Sequence, residues 1–357
     1  MKAATIRDVA ERADVSVASV SRVLSGAGPV TEMTRKKVLE AAQALQYVPH
    51  SGARSLSTSK TQTIGVILPD LYGEFFSELI RGMDLAARAL GYHLIVSSSH
   101  DDAEEASAAI RSMRGRVDGL IVLSPHLDAA NLAAGQAGRL PILLMNGGAD
   151  AGRPSIVVDN HGAAVLAVEH LVATGRRRIA HIAGPAGNLE AEARMAGYLD
   201  AMARAGLPTA VVDGDFTQGS GDAAAVELAG RDPRPDAIFA ANDMMAVGAM
   251  LALQDAGVRV PDDVAMIGFD DVPIAALVRP GLTTLGIQIA ETGRGALERL
   301  VRLINAAGEA VADTACEVVR PTLVVRPSSQ SATPIHSTPG ERTRVSAGMP
   351  PLKGENS

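Results

Sequence analysis

Residues 5–25 read TIRDVAERADVSVASVSRVLS, and this stretch has the pattern of two short helices joined by a tight turn. Its apolar residues recur at intervals of three and four, the period of a helix that buries one face. Thr5 and Ser16 each precede a helical run and can cap it, and Asp8 completes a capping pattern with Thr5. The residues predicted to face inward are Ile6, Val9, Ala10 and Ala13 on the first helix and Val20, Val23 and Leu24 on the second.

The outward face of the second helix combines short side chains with one long cation. Its residues are Val17, Ala18, Ser19, Ser21 and Arg22. Short side chains let a helix enter the major groove of DNA, and an arginine can pair with guanine through two hydrogen bonds. The pattern favours a DNA-reading helix-turn-helix, although an ordinary corner between two helices would show the same period.

A third amphipathic helix is predicted over 34–45. Its inward positions are Val38, Ala41, Ala42 and Leu45. The cations of residues 35–37 and the hydroxyls of Thr31 and Thr34 lie near its start, where a phosphate backbone could pass. A short segment, HSGARSLS, follows at 50–57.

Residues 4–57 resemble the headpiece and hinge of the LacI family of bacterial transcription regulators. In that family the free hinge is disordered, and on DNA it folds into a minor-groove helix whose leucine wedges into the central base step. The resemblance implies this role for Leu56, with Ala53 packed beside it. It implies base-reading roles for Val17, Ala18 and Arg22, and contacts to phosphate or backbone for Thr5, Ser16, Ser21, Thr31 and Thr34. Gly52 lies inside the expected hinge helix and is a poor helix former, so it should lower the stability of that helix by about 0.5–1 kcal/mol relative to alanine.

Composition and charge bound the remainder of the chain. Its 357 residues suffice for two or three domains, and 47% are hydrophobic but only 3% aromatic. The net charge is −7, yet residues 1–60 carry nine Lys and Arg against five Asp and Glu. A basic unit on an acidic body indicates a protein that touches DNA with one end. The single Cys316 excludes an internal disulfide, and without a signal sequence or membrane-length apolar run we expect a cytoplasmic protein that does not enter the membrane.

Beyond residue 60 the chain alternates short apolar runs with helical runs. The predicted strands are 63–68, 92–97, 119–123, 141–145, 155–158, 178–183, 210–213, 237–240, 264–268, 282–285 and 321–326. Such alternation indicates parallel sheets covered on both faces, and two sets of runs indicate two doubly wound subdomains. The predicted fold class is therefore a small all-α helix-turn-helix headpiece joined to an α/β core of two parallel-sheet subdomains.

We expect four segments along the chain. They are the headpiece at 1–48, the hinge helix at 49–60, an effector-binding and dimerisation core at 61–327 and a disordered tail at 328–357. Within the core, the N-subdomain takes about 61–159 plus 289–319, and the C-subdomain about 160–287 plus 320–327. The tail is rich in Ser, Thr, Pro and Gly, and it lacks the leucine heptads of a coiled coil.

The body resembles the LacI family throughout, and hence the periplasmic sugar-binding proteins in fold. The stretches that carry the resemblance are VDGLI at 117–121, HLVATG at 170–175, ARMAGY at 193–198, ANDMMA at 241–246 and IGFDD at 267–271. The resemblance implies a homodimer that binds palindromic double-stranded operator DNA. It also implies a small-molecule effector, a carbohydrate or related metabolite, bound in a cleft between the subdomains.

Polar and aromatic residues follow several predicted strands, and they suit a hydroxyl-rich ligand. Such a ligand needs carboxylate, amide and guanidinium groups, together with a flat apolar face. The resemblance assigns polar contacts to Asn146, Arg194, Asn242 and Asp270, stacking to Phe216, and the opposing wall to Phe75 and Phe76. Asn146 stands where an acid is common in the family, so the identity of the sugar does not transfer.

Simpler structural roles compete with some of these assignments. Phe75 or Phe76 could belong to the core. Asn242 or, more naturally, Asp243 could cap the helix that follows, and Asp271 could cap the next one.

Enzymatic functions find little support. Gly219, Gly221 and Ala224 match the loose dinucleotide fingerprint, but they come late in the chain, and we interpret the glycines as part of a mobile loop beside Phe216. The chain has no Walker loop, no His-x-x-x-His pair and no Gly-x-Ser-x-Gly elbow, so we expect no cofactor, no metal and no catalytic residue. Two hypotheses remain: a dimeric, effector-controlled transcription regulator, and a cytoplasmic or periplasmic small-molecule carrier with a degenerate headpiece. Arg22, Ala53 and Leu56 favour the first.

Overall fold

The computed structural model describes residues 4–25, 29–47, 60–123, 140–146, 153–306 and 315–330. The N-terminal unit, which we call the headpiece, folds into three helices: α1 at Ile6–Ala13, α2 at Val17–Ser25 and α3 at Glu32–Ala44. Val9, Val20 and Val38 are fully enclosed between them. All the side chains that the sequence predicts to face inward are buried or half-buried in this small core.

Each helix of the headpiece begins with a side-chain cap. The Thr5 hydroxyl accepts the backbone N–H of Asp8, whose carboxylate accepts the N–H of Thr5 at 2.7 Å. The Ser16 hydroxyl accepts the backbone N–H three residues on at 3.1 Å. Thr31 accepts that of Thr34 at 3.3 Å, so α3 begins two residues before the predicted position.

The rest of the described chain forms two six-stranded sheets. The first contains β1 at Thr63–Leu68, β2 at His93–Ser98, β3 at Gly119–Leu123, β4 at Ile142–Met145, β5 at Ser155–Val158 and β11 at Cys316–Val319. The second contains β6 at Ile179–Ile182, β7 at Ala210–Val212, β8 at Ala237–Ala240, β9 at Ala265–Asp270, β10 at Thr283–Gly286 and β12 at Thr322–Val324. All pairings are parallel except that of β12 with β10.

Helices cover both sheets, as continuous apolar strands require. Those associated with the first sheet, in the N-subdomain, are α4 at Glu74–Ala89, α5 at Ala103–Met113 and α11 at Ile289–Ala306. Those associated with the second, in the C-subdomain, are α6 at Asn160–Ala173, α7 at Leu189–Ala205, α8 at Gln218–Ala229, α9 at Asp243–Asp255 and the short α10 at Pro273–Leu277. Within the described residues, no helix combines the length and apolarity needed to span a membrane.

Strand order determines where a ligand can enter. The first sheet runs β11-β5-β4-β3-β1-β2 and the second β12-β10-β9-β8-β6-β7. In each sheet the order reverses beside the first strand of its set, β1 or β6. Connections leave the carboxyl ends of the strands on opposite faces there, and the crevice between them is the usual ligand site of such folds.

The chain passes between the two sheets three times, from β5 to α6, from β10 to α11 and from β11 to β12. The sequence does not predict β11, because this four-residue edge strand is only partly buried and has Glu317 in its middle. It pairs with β5, with Cys316 opposite Ser155.

The start of the predicted tail is ordered, which corrects its boundary at 328. Pro327–Ser329 form a turn of 3₁₀ helix, and both serines are fully buried. The Ser328 hydroxyl donates to the Met266 carbonyl at 2.7 Å, and the Ser329 hydroxyl lies 2.8 Å from Nε2 of His170. Serine-rich composition suggested disorder, but these hydroxyls have partners inside the C-subdomain. Residues 331–357 lie outside the described residues.

The glycines of the loose dinucleotide fingerprint lie in a helix, so the predicted mobile loop is wrong. Gly221 is on α8, where a Cβ would collide with the carbonyl of Met245 on α9. Gly248 on α9 meets the carbonyl of Gln218 in the same way. Gly221 and Gly248 let α8 and α9 approach closely, so these positions are explained by helix packing.

Candidate functional site

A single-ligand cavity of about 340 Å³ lies between the carboxyl edges of the two sheets. The N-subdomain contributes the start of α4 and the loops after β1 and β2. The C-subdomain contributes α7 and the ends of β7, β8 and β9. Six of the predicted effector residues line this pocket: Phe75, Phe76, Arg194, Phe216, Asn242 and Asp270.

Arg194 is a buried cation in a fixed orientation. It projects from α7 with 5% of its surface exposed. Its Nε donates to the side-chain oxygen of Asn160 at 2.8 Å, and Nη1 donates to the carbonyl of Ala241. The guanidinium carbon lies 3.6 Å from the centre of the Phe269 ring. Hydrogen bonds and a cation–π contact thus hold the group in place before any ligand arrives.

Asp270 ends β9 and is the most unusual residue of the pocket. Only 6% of it is exposed, and its backbone φ of 111° is one that residues other than glycine rarely adopt. Nη2 of Arg194 is 3.9 Å away, and within the described chain no donor lies at hydrogen-bonding distance of the carboxylate. Burial raises the pKa of Asp270 to about 7, Arg194 opposes the increase, and the charge of Glu190 adds to it.

Phe216 is also held in a strained backbone conformation, with φ at 69°. The side-chain nitrogen of Asn242 donates to the carbonyl of Phe216 at 3.0 Å. Gly184 provides room for the ring, since a Cβ there would overlap it. The ring centre lies 5.9 Å from the guanidinium carbon of Arg194. The ring therefore forms a fixed apolar wall beside the charged groups.

Asn242, and not Asp243, caps the helix that follows β8, and Asp243 is buried instead. Asn242 caps α9 by accepting the backbone N–H of Met245 at 2.9 Å, so the prediction that Asp243 is the cap is wrong. Asp243 is fully buried and accepts the Thr284 hydroxyl at 2.6 Å and the Val272 N–H at 3.0 Å. Burial, followed by the charge of Asp270, raises its pKa well above the usual value.

The proposed cap at Asp271 is also wrong. Its carboxylate pairs with Nη2 of Arg326 at 2.7 Å, and α10 begins after Val272 without a side-chain cap. Phe75 and Phe76 serve both expected purposes, because they line the pocket and also pack against the main core. Their ring centres are 5.2 Å apart, with the planes at 89°.

Asn146 is not among the lining residues. It follows β4 with φ at 58°, and its side chain hydrogen-bonds Glu190 across the cleft. Burial raises the pKa of Glu190, while Arg194 and Asn146 oppose the increase. Glu190 lies four residues before Arg194 on α7, so helical spacing alone places both side chains on one face. That spacing is the signal that the sequence-based site omits.

A second carboxylate joins the subdomains. Glu74, at the start of α4, accepts the backbone N–H of Ile274 at 2.9 Å. Glu74 also lines the pocket, as do the other polar and aromatic residues that the sequence-based site omits: Asp70, Tyr72, Asp101, Asn188, Asp215, Thr217 and Gln218. Most of them follow carboxyl ends of strands, where a wider search of the sequence would have found them.

The headpiece presents the predicted DNA-reading residues on one outer face. Val17 is 42% exposed, Ala18 and Arg22 are exposed, and Ser21 is half-buried. Thr5, Ser16 and Thr31 cap α1, α2 and α3, and the Thr34 hydroxyl lies 2.9 Å from that of Thr31. Helix N-termini attract anions such as phosphate, so these hydroxyls lie at suitable positions for backbone contacts. Ala53 and Leu56 lie outside the described residues.

A three-helix headpiece followed by a two-subdomain core with a cleft defines a class of ligand-responsive DNA-binding proteins. Comparison with known families agrees with that description. Residues 5–50 match the family of bacterial regulatory proteins called the lacI family, and residues 168–329 match the periplasmic binding protein-like domain.

Individual relatives cover most of the chain. The chain is 36% identical to catabolite control protein A of Priestia megaterium over 307 residues, 84% of this chain and 92% of the relative. It is 34% identical over 300 residues to the transcriptional repressor CytR of Escherichia coli, covering 83% and 88%. The structure matches that of the lac repressor dimer bound to operator and the anti-inducer ONPF, with a TM-score of 0.84, 31% identity and coverage of 92% and 100%. The chain belongs to the lacI family of bacterial regulatory proteins, and it is a DNA-binding transcription regulator with an effector-binding core.

Proposed function

We propose that this regulator is a homodimeric repressor whose affinity for a palindromic operator is controlled by a small molecule bound in the cleft. Asp270 supports the proposal most directly. It is more than nine-tenths buried, it lines the pocket in a strained conformation, and no donor within the described residues satisfies it. A ligand with hydroxyl or amine groups would supply the hydrogen bonds that the carboxylate lacks.

The other residues of the pocket take complementary roles. Arg194 offers its remaining N–H groups to ligand oxygens, and Phe216 stacks against an apolar ligand face while Phe75 and Phe76 form the opposite wall. Asn242 acts mainly by positioning Phe216, because its two polar atoms already have partners. Asn146 acts through Glu190. The complex of the relative CelR with cellobiose supports a carbohydrate or a related polyol as the ligand.

The headpiece would read DNA through α2. Val17 and Ala18 make methyl and shape contacts, and Arg22 pairs with a guanine. Thr5, Ser16, Ser21, Thr31 and Thr34 contact phosphates, and Leu56 wedges into the central base step with Ala53 beside it. A regulator of this kind acts in the cytoplasm, where its DNA is, and needs no catalytic residue.

Two measurements test the proposal together. A thermal-shift screen of sugars, sugar acids and nucleobases identifies a ligand, and operator affinity is then measured with and without it for wild type, D270A and D200A. Asp200 is an exposed acid on α7 that pairs with His161, so D200A is the matched control. D270A should lose the response and D200A should keep it. A D270A protein that responds at wild-type ligand concentrations would show that the cleft assignment is wrong.

The same data decide the direction of control. An inducer lowers operator affinity, and D270A then stays bound in its presence. A co-repressor raises operator affinity, and D270A then binds poorly in all conditions. A wild-type protein that shifts no genomic DNA fragment with or without ligand would favour a small-molecule carrier instead.

A further inference from the structure

The pocket between the subdomains has an unbalanced charge. Among its described lining residues six are acidic and one, Arg194, is basic: the acids are Asp70, Glu74, Asp101, Glu190, Asp215 and Asp270. They come from both subdomains and from five different connections between a strand and the following helix.

Arg194 does not balance this charge. Two of its nitrogens donate to Asn160 and to the carbonyl of Ala241, both neutral, and its nearest carboxylate is Asp270 at 3.9 Å. Burial raises the pKa of both Glu190 and Asp270, and the charge of Arg194 opposes the increase for both carboxylates without cancelling it. A positive charge inside the cavity would lower the free energy of all of them.

Three of the remaining acids are held in place by hydrogen bonds that they accept. Asp70 accepts two backbone N–H groups, those of Leu71 and Tyr72, and Glu74 accepts that of Ile274. Hydrogen bonds from Ser220 and Thr217 lower the pKa of Asp215. Among the described lining residues, an anionic ligand such as a sugar phosphate would meet one arginine, which already donates hydrogen bonds to Asn160 and Ala241, and this disfavours anionic ligands.

The apolar walls are suited to the same ligand charge. Phe75, Phe76 and Phe216 line the cavity, and Tyr72, 77% exposed, lies at its edge. Aromatic faces carry negative charge density and attract ammonium groups, and rings combined with carboxylates are a common means of binding organic cations. The carboxylates can accept both hydroxyl and ammonium hydrogen bonds.

We propose that the effector is an amine-bearing polyol, a small polyhydroxylated compound with one positive charge, whose ammonium lies between Glu190, Asp270 and the aromatic walls. This inference rests on the proposed function, because it takes the cleft as the effector site. It narrows the ligand class from carbohydrates in general to amino sugars and their relatives.

Isothermal titration at pH 7 with matched ligands tests it. The ligands are hexoses, the corresponding 6-amino-6-deoxy and 2-amino-2-deoxy hexoses, and the N-acetylated forms, which keep the shape and remove the charge. At least one amine should bind wild type about tenfold more tightly than both its neutral counterparts, the effect of one charge-assisted hydrogen bond.

Variants separate specific recognition from general attraction to an acidic protein. E190Q should reduce the advantage of the amine to about twofold, while E192Q, on the same helix but outside the pocket lining, should leave it unchanged. An equal preference in wild type and E190Q would overturn the inference, and so would a panel in which no amine binds.

Failure of this inference is distinguishable from failure of the proposed function. Neutral hexoses that bind as tightly as the amines, with binding lost in D270A, would overturn the cationic ligand and leave the cleft as the effector site. Binding that persists in D270A would contradict the cleft itself.

Discussion

Asp270 shows how a binding residue can lower the stability of the fold that carries it. The residue is 6% exposed and its carboxylate has no donor at hydrogen-bonding distance among the described residues, so the carboxylate loses most of its hydration without replacement, and the positive φ adds backbone strain. The residue is therefore better suited to the bound protein than to the free one.

Replacing this carboxylate with its neutral isostere should stabilise the free protein. The pKa of Asp270 is about 7 in the folded protein and near 3.8 when unfolded. The charged carboxylate therefore lowers the free energy of unfolding fully above pH 7, and this loss of stability disappears as pH falls towards 4. We expect D270N to raise the free energy of unfolding by roughly 1–3 kcal/mol at pH 8. Urea unfolding at pH 8 and pH 4.5 checks this, and a gain of equal size at both pH values would contradict it.

On the headpiece, Arg22 should control sequence preference. R22A should weaken binding to the cognate operator by about 1–3 kcal/mol and relax the preference at one G·C pair per half-site. K36A, at an exposed cation on α3, is the comparison variant. Loss of a phosphate contact there should weaken binding to cognate and random DNA equally, because phosphate contacts carry no sequence information. Equal losses on cognate and random DNA for R22A would contradict a base-reading role.

The candidate site could be predicted in part. Six of the seven effector residues named from the sequence line one cavity, because parallel strands bring their carboxyl ends to one edge. The neighbours Asn242 and Asp243 could not be told apart, since either side chain can cap a helix and only three-dimensional contacts decide which one turns inward. Glu190 was missed because it lies on a helix face rather than at the end of a strand.

At the scale of elements, the most consequential contact joins α4 to α10. Glu74 accepts the N–H of Ile274 only while the two subdomains stand this close, so the bond favours the closed arrangement. The fold class and eleven of the twelve strands follow from short apolar runs, with shifts of at most two residues at either end. β11 is the strand that the sequence does not predict, because a short, partly exposed strand carries little periodicity. β12 is predicted at 321–326 and is shorter in the structure, at Thr322–Val324.

Loss of this interdomain hydrogen bond should weaken effector binding. E74A should reduce effector affinity by about tenfold, the contribution of a hydrogen bond to a charged group. E78A, on the same helix, removes a pair with Arg81 instead and should have no effect. Calorimetry measures both. E74Q keeps an acceptor for Ile274, so full recovery in E74Q would assign the effect to the hydrogen bond, and equal affinities for E74A and E78A would exclude it.

The hinge segment carries a separate prediction. L56A should lower operator affinity by roughly tenfold and reduce DNA bending, because a side chain that opens a base step allows extra contacts along bent DNA. The operator should be nearly palindromic with a flexible pyrimidine–purine step at its centre, CG by resemblance to the family. Gel-shift bending assays with the central step exchanged provide the measurement, and indifference to that step would exclude a leucine wedge.

For the whole molecule, effector and operator must act on each other reciprocally. If the effector changes operator affinity by some factor, the operator changes effector affinity by the same factor, within the usual range of about 5–150-fold. Titrating the effector against free protein and against the protein–operator complex measures both. Unequal factors would mean that a further state, such as a change in oligomerisation, takes part.

The three passages of the chain between the subdomains also set the order in which the protein can be assembled during synthesis. The headpiece is complete by residue 47, whereas each sheet receives its last strand only from residues 316–324. At about 5–20 residues per second, roughly 15–60 s separate these two moments. During that time a folded headpiece can already engage DNA while neither sheet is finished, so a nascent chain would lack the pocket through which the mature protein is controlled.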